Sequence, residues 1–90
     1  MTMNSESQEI VLDVRPDLAN GEEPFVKIME TAARIPINGT LHLIAPFNPT
    51  PLYSVLDKRG FTHAETKSVS PTEWHIFFVR QDEQESAYGL

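Results

Sequence analysis

The chain has no cysteine. That absence removes disulfides, thiolate metal ligands, cysteine nucleophiles and any sulfur carried on a thiol. A small domain without disulfides suits a reducing cytoplasm, which is the expected compartment. No apolar run approaches the roughly 20 residues of a membrane span, so no membrane contact is expected. The first eight residues lack the basic-then-apolar layout of a signal peptide. Glycine is scarce, with four in 90 residues, and none builds a Gly-rich phosphate loop. No serine sits in a Gly-x-Ser-x-Gly elbow, so nucleophilic catalysis has no support and no enzyme is expected. No cofactor is implied either.

Bases are also few, seven against thirteen acids. The imbalance lies at the ends. Glu6 and Glu9 precede every base, and Asp82, Glu83 and Glu85 follow the last. The span between holds eight acids and seven bases and is nearly neutral. Polar, acidic ends of this kind are expected to stay solvated, giving tails at 1–8 and 81–90 around one domain at 9–80. A nucleic-acid partner is not expected, since the only adjacent basic pair is Lys58-Arg59.

What is present is regular patterning. Glu9 to Val14 alternates as a strand, and Pro16 ends it. Asp17 to Glu22 then reads as a loop with a turn at Asn20-Gly21. Pro24 marks a helix start. Phe25, Ile28, Met29, Ala32 and Ile35 recur at helical spacing until Pro36. Asn38-Gly39 is a turn before a second strand, Thr40 to Ala45. Asn48 is the expected cap of a second helix, with Pro49 at its first position and Leu52, Val55 and Leu56 as its apolar stripe. Gly60 closes it. Phe61–Val69 and Thr72–Arg80 form a hairpin about Ser70-Pro71, and the last strand is apolar on both faces, as a central strand is.

The order β-α-β-α-β-β predicts an α+β two-layer sandwich. A four-stranded mixed sheet carries two helices on one face, because right-handed crossovers place both on the same side.

Leu12-Asp13-Val14-Arg15-Pro16, Gly39 after the first helix, and Asn48-Pro49-Thr50-Pro51-Leu52 at the second helix start occur in that sequence order. With the element order, they make residues 9–80 resemble the TusA/SirA-like sulfur-carrier fold. The nearer likeness is to an uncharacterised bacterial family of that fold, domain of unknown function 2249. Sulfur carriers place Cys-Pro before the first helix; here the stretch is Gly21-Glu22-Glu23-Pro24. The family pattern also puts histidines where this chain has Glu23 and Phe47. The resemblance therefore implies the fold without the sulfur chemistry.

Three candidate sites follow. Arg15, Glu22, Glu23 and Asn48 are expected near the carboxyl ends of the parallel strands, where a crevice between helix N-termini can take a small ligand. Capping and ion pairing, Arg15 with Asp13 or Asp17, explain the same residue types. Val11, His42, Ile44, His75, Phe77 and Val79 are expected on the open sheet face, a contact surface for a second copy or a protein partner. The alternative there is cover by the C-terminal tail through Tyr88 and Leu90. His42 and His75, with His63 on the same face and Glu65 or Glu73 nearby, are weak metal-ligand candidates. The sequence thus points to a non-catalytic binding or regulatory module working through the open face, with a metal-binding or redox-accessory domain as the alternative. RNA binding, known in the wider fold group, is opposed by the near-neutral core.

Overall fold

A computed structural model describes residues 8–81. Its elements are β1 (Glu9–Asp13), α1 (Arg15–Ala19), α2 (Phe25–Ala33), β2 (Thr40–Ala45), α3 (Thr50–Lys58), β3 (Phe61–Ser70) and β4 (Glu73–Arg80). The strands form one mixed sheet in the order β1-β2-β4-β3. β1 and β2 are parallel, while β4 runs antiparallel to both β2 and β3. This is the expected four-stranded α+β sandwich with one helix more. The tails expected at residues 1–7 and 82–90, with Tyr88 and Leu90, lie outside the described residues.

Alternation in β2 builds the two layers. Leu41, Leu43 and Ala45 are buried, while Thr40, His42 and Ile44 are only half-buried. β4 repeats the pattern, with Ile76 and Phe78 fully buried. Leu41 pairs with Phe78 and Leu43 with Ile76, so the two central strands meet in the core. Ile28, Ala32 and Ile35 from the α2 region, and Leu56 from α3, close over that face. Full burial of one such side chain is worth about 1.5–3 kcal/mol.

Three local expectations are corrected. Pro16 does end β1, but it also opens α1, where a first-turn proline costs nothing because its missing N–H has no helical partner. The Asp13 carboxylate accepts the Arg15 N–H at 3.0 Å and turns the chain into that helix. Leu18 then packs against the core, and Asp17, nearly buried, accepts from Lys27 Nζ at 2.6 Å, tying α1 to α2. Phe25 is not part of the buried stripe of α2; it is 42% exposed. Asn48 does not cap α3, whose N-cap residue is Pro49 with no side-chain cap bond. The Asn48 Oδ1 accepts from the Tyr53 hydroxyl instead, at 2.7 Å.

Gly39 has a steric reason. In the Asn38-Gly39 turn it is Asn38 that takes the left-handed conformation, at φ 71. A Cβ on Gly39 would lie 2.9 Å from the Pro36 carbonyl oxygen, which already accepts the Gly39 N–H at 2.8 Å. That oxygen is backbone and cannot step aside without breaking the turn that starts β2. Gly39→Ala is therefore expected to destabilise the fold by about 1–3 kcal/mol, the usual cost of overpacking. Asn38→Gly, which relieves rather than adds strain, is expected to be close to neutral. Urea unfolding of both variants checks the pair.

Candidate functional site

Register sets the open face in rows. Glu9, Thr40, Val79 and Thr62 form one row across β1, β2, β4 and β3. Val11, His42, Phe77 and Glu65 form the next, then Asp13, Ile44, His75 and Lys67. Every residue named for this face in the sequence therefore shares it. His63 is the exception. It has the same parity as buried Phe61 and pairs with Phe78, so it lies toward the helices, with its ring tilted against Tyr53 at 4.4 Å between centroids. A bulge after His63 restores Glu65 to the open side.

His63, Thr66, Tyr53 and Asn48 form one ordered chain of hydrogen bonds. Tyr53 has a single hydroxyl proton and gives it to Asn48 Oδ1. It must then accept from Thr66 at 2.8 Å, and Thr66 in turn must accept from His63 Nε2 at 2.6 Å. That fixes the proton of a neutral His63 on Nε2.

On the open face His42 and His75 sit diagonally on neighbouring strands and touch. His42 Nε2 lies 2.7 Å from His75 Nδ1. The outer nitrogens are also occupied: His42 Nδ1 is 2.9 Å from Glu9 Oε2, and His75 Nε2 is 2.8 Å from Glu73 Oε2. Glu73 is 3.3 Å from Arg15, whose guanidinium makes a two-pronged bond with Asp13 at 3.0 and 2.8 Å. Phe77 stacks on the His42 ring at 4.3 Å between centroids. Glu9 was not evident as a site residue in the sequence, because only the parallel register brings β1 beside His42.

Three hydrogen bonds link Glu9, His42, His75 and Glu73, and each needs one proton. With both carboxylates ionised, all three form at once only when the two rings together hold three protons. With two, one ring still donates to the other, and the bond given up is one of those to the carboxylates.

The same geometry bears on the metal candidates. Two nitrogens on one tetrahedral zinc with bonds of about 2.0–2.1 Å stand roughly 3.3 Å apart, well beyond the 2.7 Å seen here. Glu9 and Glu73 bind the far nitrogen of each ring, so neither can converge on an ion placed between the rings. Among the described residues no three His, Asp or Glu side chains are placed to hold one metal ion.

The crevice residues separate. Glu23, one residue before the N-cap Pro24, accepts the Phe25 N–H at 2.8 Å, Asn48 is held by Tyr53, and Glu22 is exposed. Arg15 alone of the four lines a cavity of about 640 Å³, with Asp13, Pro16, Leu18, Ala19, Pro46 and Thr72. The expected ring of four is not assembled there: Arg15 is engaged on the open face, and two of the others serve local structure.

A family described as an uncharacterized conserved protein, DUF2249, matches residues 11–80. The chain belongs to this family. The matched span of this DUF2249 member takes in both histidines, Arg15, Glu73 and most of β1. No curated protein and no solved structure matches the chain.

Hydrogen bonds from Arg15 hold the Asp13 carboxyl below its usual range, outweighing partial burial. The His75 ring does the same for Glu73, with Arg15 adding to it. Carboxylates depressed in the folded state stabilise it above their unfolded values and lose that contribution as pH falls through the folded ones. Thermal stability is thus expected to drop as pH falls from about 5 to 3. Arg15→Gln should make that drop shallower, as melting curves across the interval will show.

Proposed function

We propose that this protein is a non-catalytic binding module that docks a second copy of itself through the open sheet face. The observation that carries the proposal is the state of that face. α2 and α3 pack on the opposite side, and no element of the described residues covers Val11, Ile44, Phe77 and Val79. Val11 is 55% exposed, and the other three are held half-buried by the polar groups around them. Two flat sheets stack about 10 Å apart through such side chains.

Charge favours a copy of the same chain over a partner of one sign. Glu9, Asp13, Glu65 and Glu73 share the face with Arg15 and Lys67, so it carries both signs side by side. An isologous contact of this surface meets little like-charge repulsion, whereas a strongly acidic or basic partner finds no matching field. The histidine–carboxylate chain fixes the rings against β2 and β4, so the surface is rigid before it binds and loses little side-chain entropy.

Sulfur transfer through a thiol is ruled out by composition, as the chain has no cysteine. No helix among the described residues is long and apolar enough to cross a membrane. A cytoplasmic setting and the TusA-like ancestry suggested by the motif order are part of this reading. The Arg15-lined cavity is a secondary place for a small regulatory ligand.

Light scattering on the purified full chain tests the proposal. A dimer is expected, and Phe77→Glu is expected to convert it to a folded monomer with an unchanged circular dichroism spectrum. A wild-type monomer, or a dimer indifferent to Phe77→Glu, would overturn it.

A further inference from the structure

We infer that a second site lies on the helix side of the sheet, a cavity that takes the phosphoryl group of a small organic phosphate between Lys58, Arg59 and Arg80. The cavity holds about 320 Å³ and is lined by these three residues with Met29, Ala32, Ala33 and Phe61. It contains three cationic side chains and no acid, in a chain whose formal net charge is −6.

Partner accounting sets these cations apart. Arg15, Lys27 and Lys67 each have a carboxylate within 4 Å. Lys58, Arg59, Arg80 and Arg34 have none among the described residues, and the first three of these four share a cavity. Like charges gathered without counter-charge repel each other, so the arrangement stores an attraction for an anion.

Arg80 gives the clearest sign. Its guanidinium is fixed, donating from Nη1 to the Ile35 carbonyl at 2.7 Å and lying 5.9 Å over the Phe61 ring. Its Nε is buried with no hydrogen-bond acceptor among the described residues. Buried donors in folded proteins are normally satisfied, and the lack of any acceptor here leaves the Arg80 charge without a counter-group inside the fold; a ligand would meet the part of the guanidinium that lines the cavity, not the inaccessible Nε. The ends of α2 and α3 explain part of the basic character, since cations favour helix C-termini. They do not supply an acceptor for Nε.

The lining also indicates the ligand class. Three positive charges match a dianionic phosphomonoester better than a single carboxylate, and arginine donors suit phosphate oxygens in two-pronged contacts. Met29, Ala32 and Phe61 offer an apolar wall for a small organic body. A nucleic-acid strand would need an extended basic stripe rather than one local cluster.

This inference is independent of self-association, which uses the other face. Calorimetric titration of the full chain at constant ionic strength tests it with phenyl phosphate, inorganic phosphate and benzoate as probes. Phenyl phosphate is expected to bind saturably and at least about tenfold tighter than benzoate. If it also exceeds inorganic phosphate, the organic body contributes; if the two are equal, the site reads the phosphoryl group alone. Both outcomes support the phosphoryl site. The Lys58→Gln/Arg59→Gln double variant replaces two exposed side chains, so it should melt like the wild type and bind about tenfold more weakly or worse. No saturable phenyl phosphate binding, or unchanged affinity in that folded variant, overturns the inference.

Discussion

One register holds this molecule together: Leu43 of β2 opposite Ile76 of β4. Because side chains alternate strictly along a strand, that pairing decides both layers at once. It places Leu41, Leu43, Ile76 and Phe78 under the helices, where each is essentially inaccessible to water. It places His42, Ile44, His75 and Phe77 on the reverse. A slip of one residue would exchange the two sets, putting imidazoles in the core and leucines in solvent. Losing even one of those buried side chains costs about 2–5 kcal/mol. Exposed ion pairs of the kind on the open face contribute about 0–1 kcal/mol each. The core therefore selects the register, and the histidine contact is its consequence.

The polar chain on the open face changes what that face is. Apolar residues alone would give an adhesive surface of low specificity. Here Phe77 is stacked under His42, and His42 is fixed by Glu9 on one side and His75 on the other. Glu73 is shared between His75 and Arg15, and Arg15 is anchored by Asp13. One connected set of charges thus runs from β1 across β2 and β4 and back to the start of α1. Its hydrogen bonds hold the two rings and both carboxylates in one arrangement, so the shape of the surface is set before any partner arrives. A surface of that kind recognises a partner by position as well as by greasiness.

Much of this was legible in the sequence, and the limits were physical. Element order, the central place of the last strand and the shared face of His42 and His75 follow from period-two and helical spacing, which report burial directly. α1 was missed because Arg15-Pro16-Asp17-Leu18-Ala19 is too short to show a period, and its start depends on the Asp13 side chain. Phe25 was placed in the core by spacing alone, but the helix axis turns it outward. Asn48 carries the right chemistry for a cap, yet Tyr53 competes for the same oxygen and wins. Arg15, Glu22, Glu23 and Asn48 share a residue-type signature without sharing a place. Glu9 and Arg80 were invisible as site residues because each acts through a neighbour far away in sequence.

The sheet also separates two surfaces of different character with one strand in common. β4 presents His75 and Phe77 to the open face and Arg80, at the opposite parity, to the basic cavity. β4 is bonded on both edges, to β2 and to β3, so it cannot shift alone without breaking ladders on either side. Its neighbours share the load at the cavity end: the Arg80 N–H donates to Gly39 O, and the Arg80 carbonyl accepts the Asn38 N–H. A ligand that fixes the Arg80 side chain would therefore act on a strand end already clamped by the Asn38-Gly39 turn. The two surfaces are best understood as independent stations on a rigid layer, which is why an anion bound at one and a copy docked at the other can be assayed separately.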